Sequence, residues 1–217
     1  MKRANFLSAL GLTFLGTVLS SSKKVAIITD CGDPITPPVP EGPYYKDEKL
    51  NRPNIAEHKE GLPITYLFKV EDSDCKPIAG AIVDIWQCDN NGHYSDYQQE
   101  KTLGETWLRG YQVTDKQGNC RFDAVFPGWY NGRLTHLHAK VRIEGKAPLT
   151  TNFFFPKEVE DKVFQSPLYP KGPNPVTMAQ DFELRGDKDT HRRDTLLMQV
   201  SHDDKGKMIA RYTIAIA

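Results

Sequence analysis

The residues from Trp129 to Val141 bring together several side-chain types that can bind a metal ion and act on a substrate. They read Trp-Tyr-Asn-Gly-Arg-Leu-Thr-His-Leu-His-Ala-Lys-Val, a pattern that predicts a β-strand beginning near the histidines. Side chains two residues apart on a strand project from the same face, about 7 Å apart along the strand. The spacing therefore predicts that His136 and His138 form a metal site, with Tyr130 and the Arg133 guanidinium beside it.

The His-x-His pattern also allows two simpler interpretations. Both histidines can be exposed polar residues, or one can be a core residue next to an unrelated neighbour. The surrounding residues favour the metal site, because the chain has 6 histidines and two of them fall in this one strand, close to Tyr, Arg and Trp.

Two tyrosines are the further candidate ligands, and they favour ferric iron as the metal. Tyr94 follows the Asn91-Gly92 turn, and Tyr130 follows Pro127-Gly128. A free tyrosine with a pKa of about 10 is a poor ligand at neutral pH, but a bound cation lowers the pKa of its ligands. Two phenolates with two imidazoles suit Fe(3+) better than zinc or calcium. A surface tyrosine is the alternative for Tyr94 alone.

Length and composition are typical of one globular domain that does not act on nucleic acid. The chain has 217 residues, 39% of them hydrophobic and 26% charged, with a formal net charge of +0. A chain of this size can bury a proper core. Without a basic excess to neutralise phosphates, nucleic acid is not expected as a partner.

The first 22 residues have the pattern of an export signal. Lys2 and Arg3 precede a largely apolar run from Phe6 to Leu19, and three serines follow it. This pattern is typical of a secretory signal, and the run is too short and too interrupted to predict a membrane span. An amphipathic first helix is the alternative. We therefore expect an exported protein, either periplasmic or extracellular, without a membrane span in its mature form.

The cysteines are compatible with disulfides but show no zinc-ribbon spacing. The chain has 4 of them, Cys31, Cys75, Cys88 and Cys120, and none lie in a CxxC pair. In an oxidising compartment they allow two disulfides in three pairings. A Cys88–Cys120 pair is expected because one residue ends a predicted strand and the other begins one; free buried thiols remain the alternative.

The rest of the pattern predicts an all-β fold with long irregular loops. About eight short strands alternate with turns rich in Gly, Asn, Asp and Pro, which is typical of a β-sandwich of the Ig-like or prealbumin-like class. The turn from Asp115 to Gly118 predicts a hairpin, and residues 156–190 are predicted to be loop. The predicted strands cover residues 62–70, 81–88, 110–114, 120–126, 136–143, 149–155, 195–200 and 208–215.

The segment between the signal and the first strand is predicted to be irregular. Residues 33–45 are too rich in proline for a helix or a central strand. A disordered linker is the alternative, but Tyr44 and Tyr45 provide apolar area that favours a docked arm. The predicted organisation is therefore an export signal at 1–22, an irregular arm docked on the core at 23–61, and a β-sandwich catalytic domain at 62–217.

Three motifs in this order resemble the intradiol ring-cleavage dioxygenases, in an exported form similar to the protocatechuate 3,4-dioxygenases. They are Pro-Glu-Gly-Pro-Tyr-Tyr at 40–45, Gly-Ala-Ile-Val-Asp-Ile-Trp-Gln-Cys-Asp-Asn-Asn-Gly-His-Tyr-Ser at 80–95, and Arg-Leu-Thr-His-Leu-His at 133–138. The resemblance covers about residues 39 to 155 and implies a β-sandwich core. It also implies a non-haem ferric enzyme that opens a catechol between its hydroxyls, inserting both atoms of dioxygen to give a muconate-type dicarboxylate.

The resemblance assigns roles to individual residues. It implies that the metal ligands are Tyr94, Tyr130, His136 and His138, with Tyr130 also taking part in catalysis. Arg133 falls where the family has an arginine that stabilises charge on the substrate ring. The substrate contacts that it implies are Asn152, near a position where some members carry glutamine, and Trp129.

Two departures from the family pattern leave the substrate open. Only five residues separate Tyr130 from His136, where known members often carry a longer insertion, and the chain lacks the helical dimerisation segment of the catechol branch. The candidate substrates are protocatechuate, catechol, hydroxyquinol and larger plant-derived diols. The oligomeric state is equally open.

Two other functions compete with this interpretation. The chain can be an exported, non-catalytic β-sandwich binding module, since such folds host many functions. That function leaves the combination of two tyrosines, two histidines and an arginine without a role. A zinc hydrolase is the third candidate, but the sequence has no HExxH or other zinc signature.

Overall fold

The computed structural model describes residues 32, 34–185 and 192–217, and these residues are mostly β-strand. Eight strands, two short helices and one 3-10 turn at Gln98–Glu100 occur in this part of the chain. The predicted all-β class is thereby confirmed. The strands are β1 (Pro63–Asp72), β2 (Ile82–Trp86), β3 (Arg109–Val113), β4 (Asn119–Val125), β5 (His136–Ile143), β6 (Lys146–Phe154), β7 (Gln199–His202) and β8 (Met208–Ile216), and the helices are α1 (Lys157–Val163) and α2 (Arg192–Thr195).

The strands form two four-stranded sheets. The first sheet has the order β4-β1-β8-β7, and the second has the order β3-β2-β5-β6. All pairings are antiparallel except β1 with β8, which is parallel. The chain crosses between the sheets several times, so each sheet contains strands that are distant in sequence.

Aromatic side chains join the two sheets across a common core. The Phe153 ring of β6 lies 5.3 Å from that of Phe68 in β1 and 4.3 Å from that of Tyr212 in β8. The Tyr66 hydroxyl donates a 2.7 Å hydrogen bond to the side-chain oxygen of Gln87, which satisfies two polar groups in the buried interior. Alternation along each strand produces this core, because every second side chain faces the other sheet.

Strand β5 carries the two histidines on its opposite face. Leu137 and Ala139 of β5 belong to the main core, so His136 and His138 project away from it. The neighbouring strands place Trp86 of β2 and Asn152 of β6 directly beside His138. The outer face of the second sheet is therefore where a site can form.

The irregular segment before β1 contacts both sheets. The Val39 N–H donates to Thr150 O at 2.9 Å on the second sheet, and the Ile55 N–H donates to Asp123 O at 2.9 Å on the first. The Ile55 side chain is fully buried, and the Tyr45 hydroxyl donates to the Asp84 carboxylate at 3.0 Å. These contacts bring the segment onto the sheet face that carries the histidines.

The predicted hairpin at Asp115–Gly118 is wrong in its pairing. The turn itself is present, with the Gly118 N–H donating to Asp115 O at 3.0 Å. However, β3 belongs to the second sheet and β4 to the first. Strand β4 pairs with β1 from Pro63–Val125 to Lys69–Asn119, which buries Phe122 in the core between the sheets.

One predicted strand and one predicted loop also differ from the structure. Residues 195–200, predicted as one strand, are instead the end of α2, a short connection and the start of β7. In the connection, the backbones of buried Leu196 and Met198 form hydrogen bonds with the backbone of Phe154 in β6. The predicted loop at 156–190 contains α1, which buries Val163 against the core.

The expected Cys88–Cys120 disulfide is wrong. Both thiols are free and buried. Cys120 lies in the core between the sheets, whereas Cys88 packs with Trp86 and Tyr94 in a separate cluster. Cys75 is disulfide-bonded, and Cys31 lies outside the described residues.

The predicted export signal at 1–22 also lies outside the described residues. In the part of the chain that the structure describes, no helix is both long and apolar enough to cross a membrane.

The aromatic contact between the sheets predicts a large effect of truncating Phe153. Phe153→Ala should lower the free energy of unfolding by about 3–5 kcal/mol, because it leaves a cavity in the core. Phe182→Ala is the matched control, since the Phe182 ring is 58% exposed, and it should change stability by less than about 0.5 kcal/mol. Urea unfolding of both variants measures the difference. Equal effects would contradict a core role for Phe153.

Candidate active site

The two histidines meet in a fully buried pair at the start of β5. Their Nε2 atoms lie 2.9 Å apart, and both side chains are at most 2% exposed. The Nδ1 atoms point away from each other, with His136 Nδ1 on Leu134 O and His138 Nδ1 2.7 Å from the Asn152 amide nitrogen. The position of the two residues on β5 therefore brings their Nε2 atoms into contact.

The neighbours of the pair determine where its protons lie. A guanidinium can only donate, so the oxygen of the Asn152 amide faces Arg133 and its nitrogen donates to His138 Nδ1. His136 Nδ1 donates to the Leu134 carbonyl. One proton then remains between the two Nε2 atoms, and a bound cation would replace it there.

Tyr130 reaches the pair from the loop after β4. Its hydroxyl lies 3.2 Å from His136 Nε2. Burial raises the pKa of this phenol, while the nearby Arg133 cation opposes the rise. Without a cation in contact with its oxygen, Tyr130 therefore stays protonated at neutral pH.

Tyr94 approaches from the loop after β2. Its ring centroid is 5.7 Å from that of Tyr130 and 6.1 Å from that of His138. The residue is fully buried, and its hydroxyl has no hydrogen-bond partner among the described residues. Burial raises the pKa of this phenol well above its ordinary value. A buried hydroxyl without a partner is costly, so this oxygen is available for another group.

A tight turn explains how Tyr94 enters the cluster. The Asp89 carboxylate accepts 2.9 Å hydrogen bonds from the N–H groups of Asn91 and His93. Gly92 has a φ of +83°, and a side chain there would clash with the Trp129 carbonyl. Glycine is therefore required at this position for the two loops to pack against each other.

Arg133 lies beside the histidines in a buried ion pair that the sequence did not reveal. Its Nε lies 3.0 and 3.1 Å from the two carboxylate oxygens of Asp181, and its Nη2 donates to the Asn152 oxygen at 2.7 Å. Asp181 is fully buried and also accepts from the Leu134 N–H at 2.7 Å. No local motif marks Asp181, because its partner is 48 residues away in sequence.

Asn152 thus lies between Arg133 and His138, where it contacts both. Trp129 has a different environment. Its indole N–H donates to Gly172 O at 2.8 Å, and the Lys171 ammonium lies 4.8 Å from its ring centre. The substrate contact of Trp129 stays a prediction.

Two aromatic residues outside the predicted set of site residues complete the enclosure. The Trp86 ring stacks on His138 with centroids 4.8 Å apart. The Tyr44 ring, from the arm, stacks on Tyr94 at 4.0 Å with an interplanar angle of 7°. Trp86 lies opposite His138 in the pairing of β2 with β5, and this pairing could not be predicted from the sequence.

The donor set fits a hard trivalent cation. The two imidazole Nε2 atoms and the Tyr130 oxygen are in contact. The Tyr94 ring packs against Tyr130 and His138, and its hydroxyl has no partner among the described residues. In the same part of the chain, no group of three or more His, Cys, Asp and Glu side chains could hold a metal. A site here therefore depends on tyrosine oxygens, which ferric iron accepts readily.

Comparison with known proteins gives the family of the chain. A family model described as Dioxygenase matches residues 39–171, a range that contains all four donor residues and Arg133. The chain belongs to the family of intradiol ring-cleavage dioxygenases.

Individual relatives are similar at low identity. The structure of an intradiol ring-cleavage dioxygenase from Tetranychus urticae is 27% identical, with a TM-score of 0.74 over 84% of this chain and 94% of that chain. A chlorocatechol 1,2-dioxygenase from Pseudomonas sp. (strain P51) is 28% identical over 54% of this chain and 55% of that protein. A hydroxyquinol 1,2-dioxygenase from Rhizobium sp. (strain MTP-10005) is 30% identical over 54% of this chain and 46% of that protein. The chain spans about half the length of the curated relatives that it matches.

The buried histidines predict a specific pH dependence for the metal-free protein. Burial lowers the pKa of His136 and His138 well below the ordinary value, and the Arg133 cation lowers it further. An unfolded imidazole titrates at about pH 6.5. Below that pH the unfolded chain takes up protons that the folded protein does not, so stability falls as the pH decreases.

Between about pH 7.5 and pH 5, each imidazole should reduce the free energy of unfolding by roughly 2 kcal/mol. Urea unfolding of the metal-free protein at several pH values measures the slope. A variant with both His136→Gln and His138→Gln removes these groups, so its slope should be shallower than that of the wild type. Parallel slopes would contradict neutral, buried imidazoles.

Proposed function

We propose that this protein is a non-haem ferric intradiol dioxygenase. It inserts both atoms of dioxygen into a catechol-type substrate and gives a muconate-type dicarboxylate. The observation that carries the proposal is one buried cluster in which the Tyr130 oxygen and the two histidine Nε2 atoms are in contact and the Tyr94 ring packs against them, beside a buried guanidinium.

Tyr94, Tyr130, His136 and His138 would hold Fe(3+). Two features support this assignment, because a cation satisfies both. They are the shared proton of the histidine pair and the Tyr94 hydroxyl, which has no partner among the described residues. Ferric iron would supply Lewis-acid chemistry, by drawing electron density from a bound catechol.

The chain's own residues would orient the substrate and handle its protons and charge. If a bound cation held Tyr130 as a phenolate, its oxygen would accept one proton from a substrate hydroxyl. Arg133 stabilises negative charge that develops on the ring, an effect of about 2–4 kcal/mol in a site that excludes water. Asp181 and Asn152 hold the guanidinium in place from two sides.

The proposed substrate is a small catechol, with dioxygen as the second substrate. Chlorocatechol and hydroxyquinol appear in the names of relatives that match about half of this chain. The aromatic rings around the site, Tyr44, Tyr94, Tyr97 and Tyr130, support a planar aromatic ligand rather than an extended one.

We further propose that the fold is a prealbumin-like β-sandwich within the broader Ig-like class. Residues 62–217 would form the catalytic domain, residues 23–61 a docked arm and residues 1–22 an export signal. The contacts of the described arm residues with both sheets support the docked arm. The disulfide at Cys75 supports export to the periplasm or the cell exterior, since disulfides persist in oxidising compartments.

Iron content and colour test the function most directly. Tyrosinate ligands give ferric iron a visible absorption band, so the purified protein should contain iron and be red to purple. Tyr94→Phe should bleach or shift that band, and Tyr111→Phe, outside the cluster, should leave it unchanged. Absorption spectra with metal analysis measure both. A colourless protein that is replete in iron would contradict the proposal and favour a binding module.

Arg133→Lys should separate iron binding from turnover. It keeps a cation beside Asp181 but loses the planar fork that contacts Asn152. Iron content should stay at the wild-type level, while kcat for oxygen uptake with a catechol falls by about 10²–10³-fold. Arg121→Lys, an exposed pair partner of Asp123 on β4, is the matched control. Unchanged turnover in Arg133→Lys would make Arg133 a packing residue.

A further inference from the structure

A second buried guanidinium lies next to the candidate site, on β3. Arg109 is 2% exposed and pairs across the sheet with Trp86, the residue whose ring stacks on His138. Among the described residues, no carboxylate forms an ion pair with it, in contrast to Arg133. Its hydrogen bonds show what it does instead.

All three guanidinium nitrogens of Arg109 bind oxygen atoms of two segments. Nε donates to the Ser95 hydroxyl at 2.8 Å and Nη2 donates to the Ser95 carbonyl at 2.6 Å. Nη1 donates to the Tyr44 carbonyl at 2.7 Å. Ser95 directly follows Tyr94 in the chain, and Tyr44 carries the ring that stacks on Tyr94.

The two segments enclose Tyr94, whose ring lacks a polar anchor in the described part of the chain. The Tyr94 hydroxyl has no partner there, so the direction of the ring depends on its backbone and on the rings that touch it. Glu100 and Thr102 bind the backbone N–H and carbonyl of Tyr94 itself. Arg109 adds the link between the two segments, because it binds the residue after Tyr94 and the residue stacked on Tyr94.

We propose that Arg109 is a positioning residue for the candidate site: its guanidinium fastens the arm at Tyr44 to the loop at Ser95 and so fixes the orientation of the Tyr94 ring. The proposal rests on the proposed function for the part that Tyr94 plays. Burying a cation without a carboxylate partner is costly. The three hydrogen bonds of the guanidinium offset part of this cost, and its planar geometry allows it to bind two segments at once.

Arg109→Lys is the sharpest test, because it keeps the charge and loses the fork. A single ammonium cannot reach acceptors on both segments in the geometry of a guanidinium. In the metal-free protein, hydrogen exchange should accelerate by about tenfold or more in peptides that cover residues 43–48 and 94–97, and stay unchanged in β1 and β8. Arg121→Lys on β4 is the control and should match the wild type throughout.

The iron-loaded protein gives two further measurements. The visible absorption band should shift in Arg109→Lys, and kcat should fall by about 10- to 100-fold with a smaller change in KM, because a displaced ligand affects the chemical step. Arg133→Lys, by contrast, should leave hydrogen exchange at residues 43–48 unchanged.

Three results would overturn the proposal: exchange at both segments equal to that of the wild type, exchange raised uniformly over the whole chain, or an unchanged visible band. If Arg109→Lys does not fold, Ser95→Ala removes one acceptor of the guanidinium and should raise exchange in the same two peptides.

A wild-type protein that holds no iron would contradict the proposed function, whereas the metal-free exchange experiment would still decide the role of Arg109.

Discussion

The alternation of side chains along β5 is the constraint on which the rest of the site depends. Leu137 and Ala139 are buried between the sheets, and this burial fixes which face of the strand His136 and His138 occupy. A shift of one residue in register would send the imidazoles into the apolar core and expose the leucine. The free energy of burying the core therefore keeps the two Nε2 atoms within contact of each other.

The charges around the site are arranged in two different ways. Arg133 has a carboxylate partner, Asp181, which neutralises it while leaving part of its fork directed toward Asn152. Arg109 binds a hydroxyl and two carbonyl oxygens. One guanidinium is thus suited to act near a substrate and the other to hold backbone segments together. Both need the fixed planar geometry that distinguishes arginine from lysine.

The enclosure of the site is mostly aromatic. Trp86, Cys88 and Tyr94 form a small cluster separate from the main core, and Tyr44, Tyr45, Tyr97 and Tyr130 pack against it. The arm supplies Tyr44 and Tyr45, so a segment that has no regular secondary structure makes up part of the wall. Exclusion of water from such a buried cluster strengthens every charge interaction inside it.

The sequence by itself determined the strand periodicity and the candidate residues. Apolar alternation predicted most strands within a few residues, because period-two burial depends only on neighbours in the chain. The His-x-His spacing predicted that the imidazoles share a face, for the same reason. The motifs at 40–45, 80–95 and 133–138 likewise carried the family resemblance.

The tertiary structure alone decided which of these elements meet. Asp181 pairs with Arg133 across 48 residues, Cys88 and Cys120 lie in separate clusters, and β4 pairs with β1 instead of β3. Arg109 gave no signal in the sequence, because its acceptors are backbone carbonyls and a serine on two loops. Such contacts depend on the packing of the sheets and loops in three dimensions, and local pattern contains no information about which distant segments pack together.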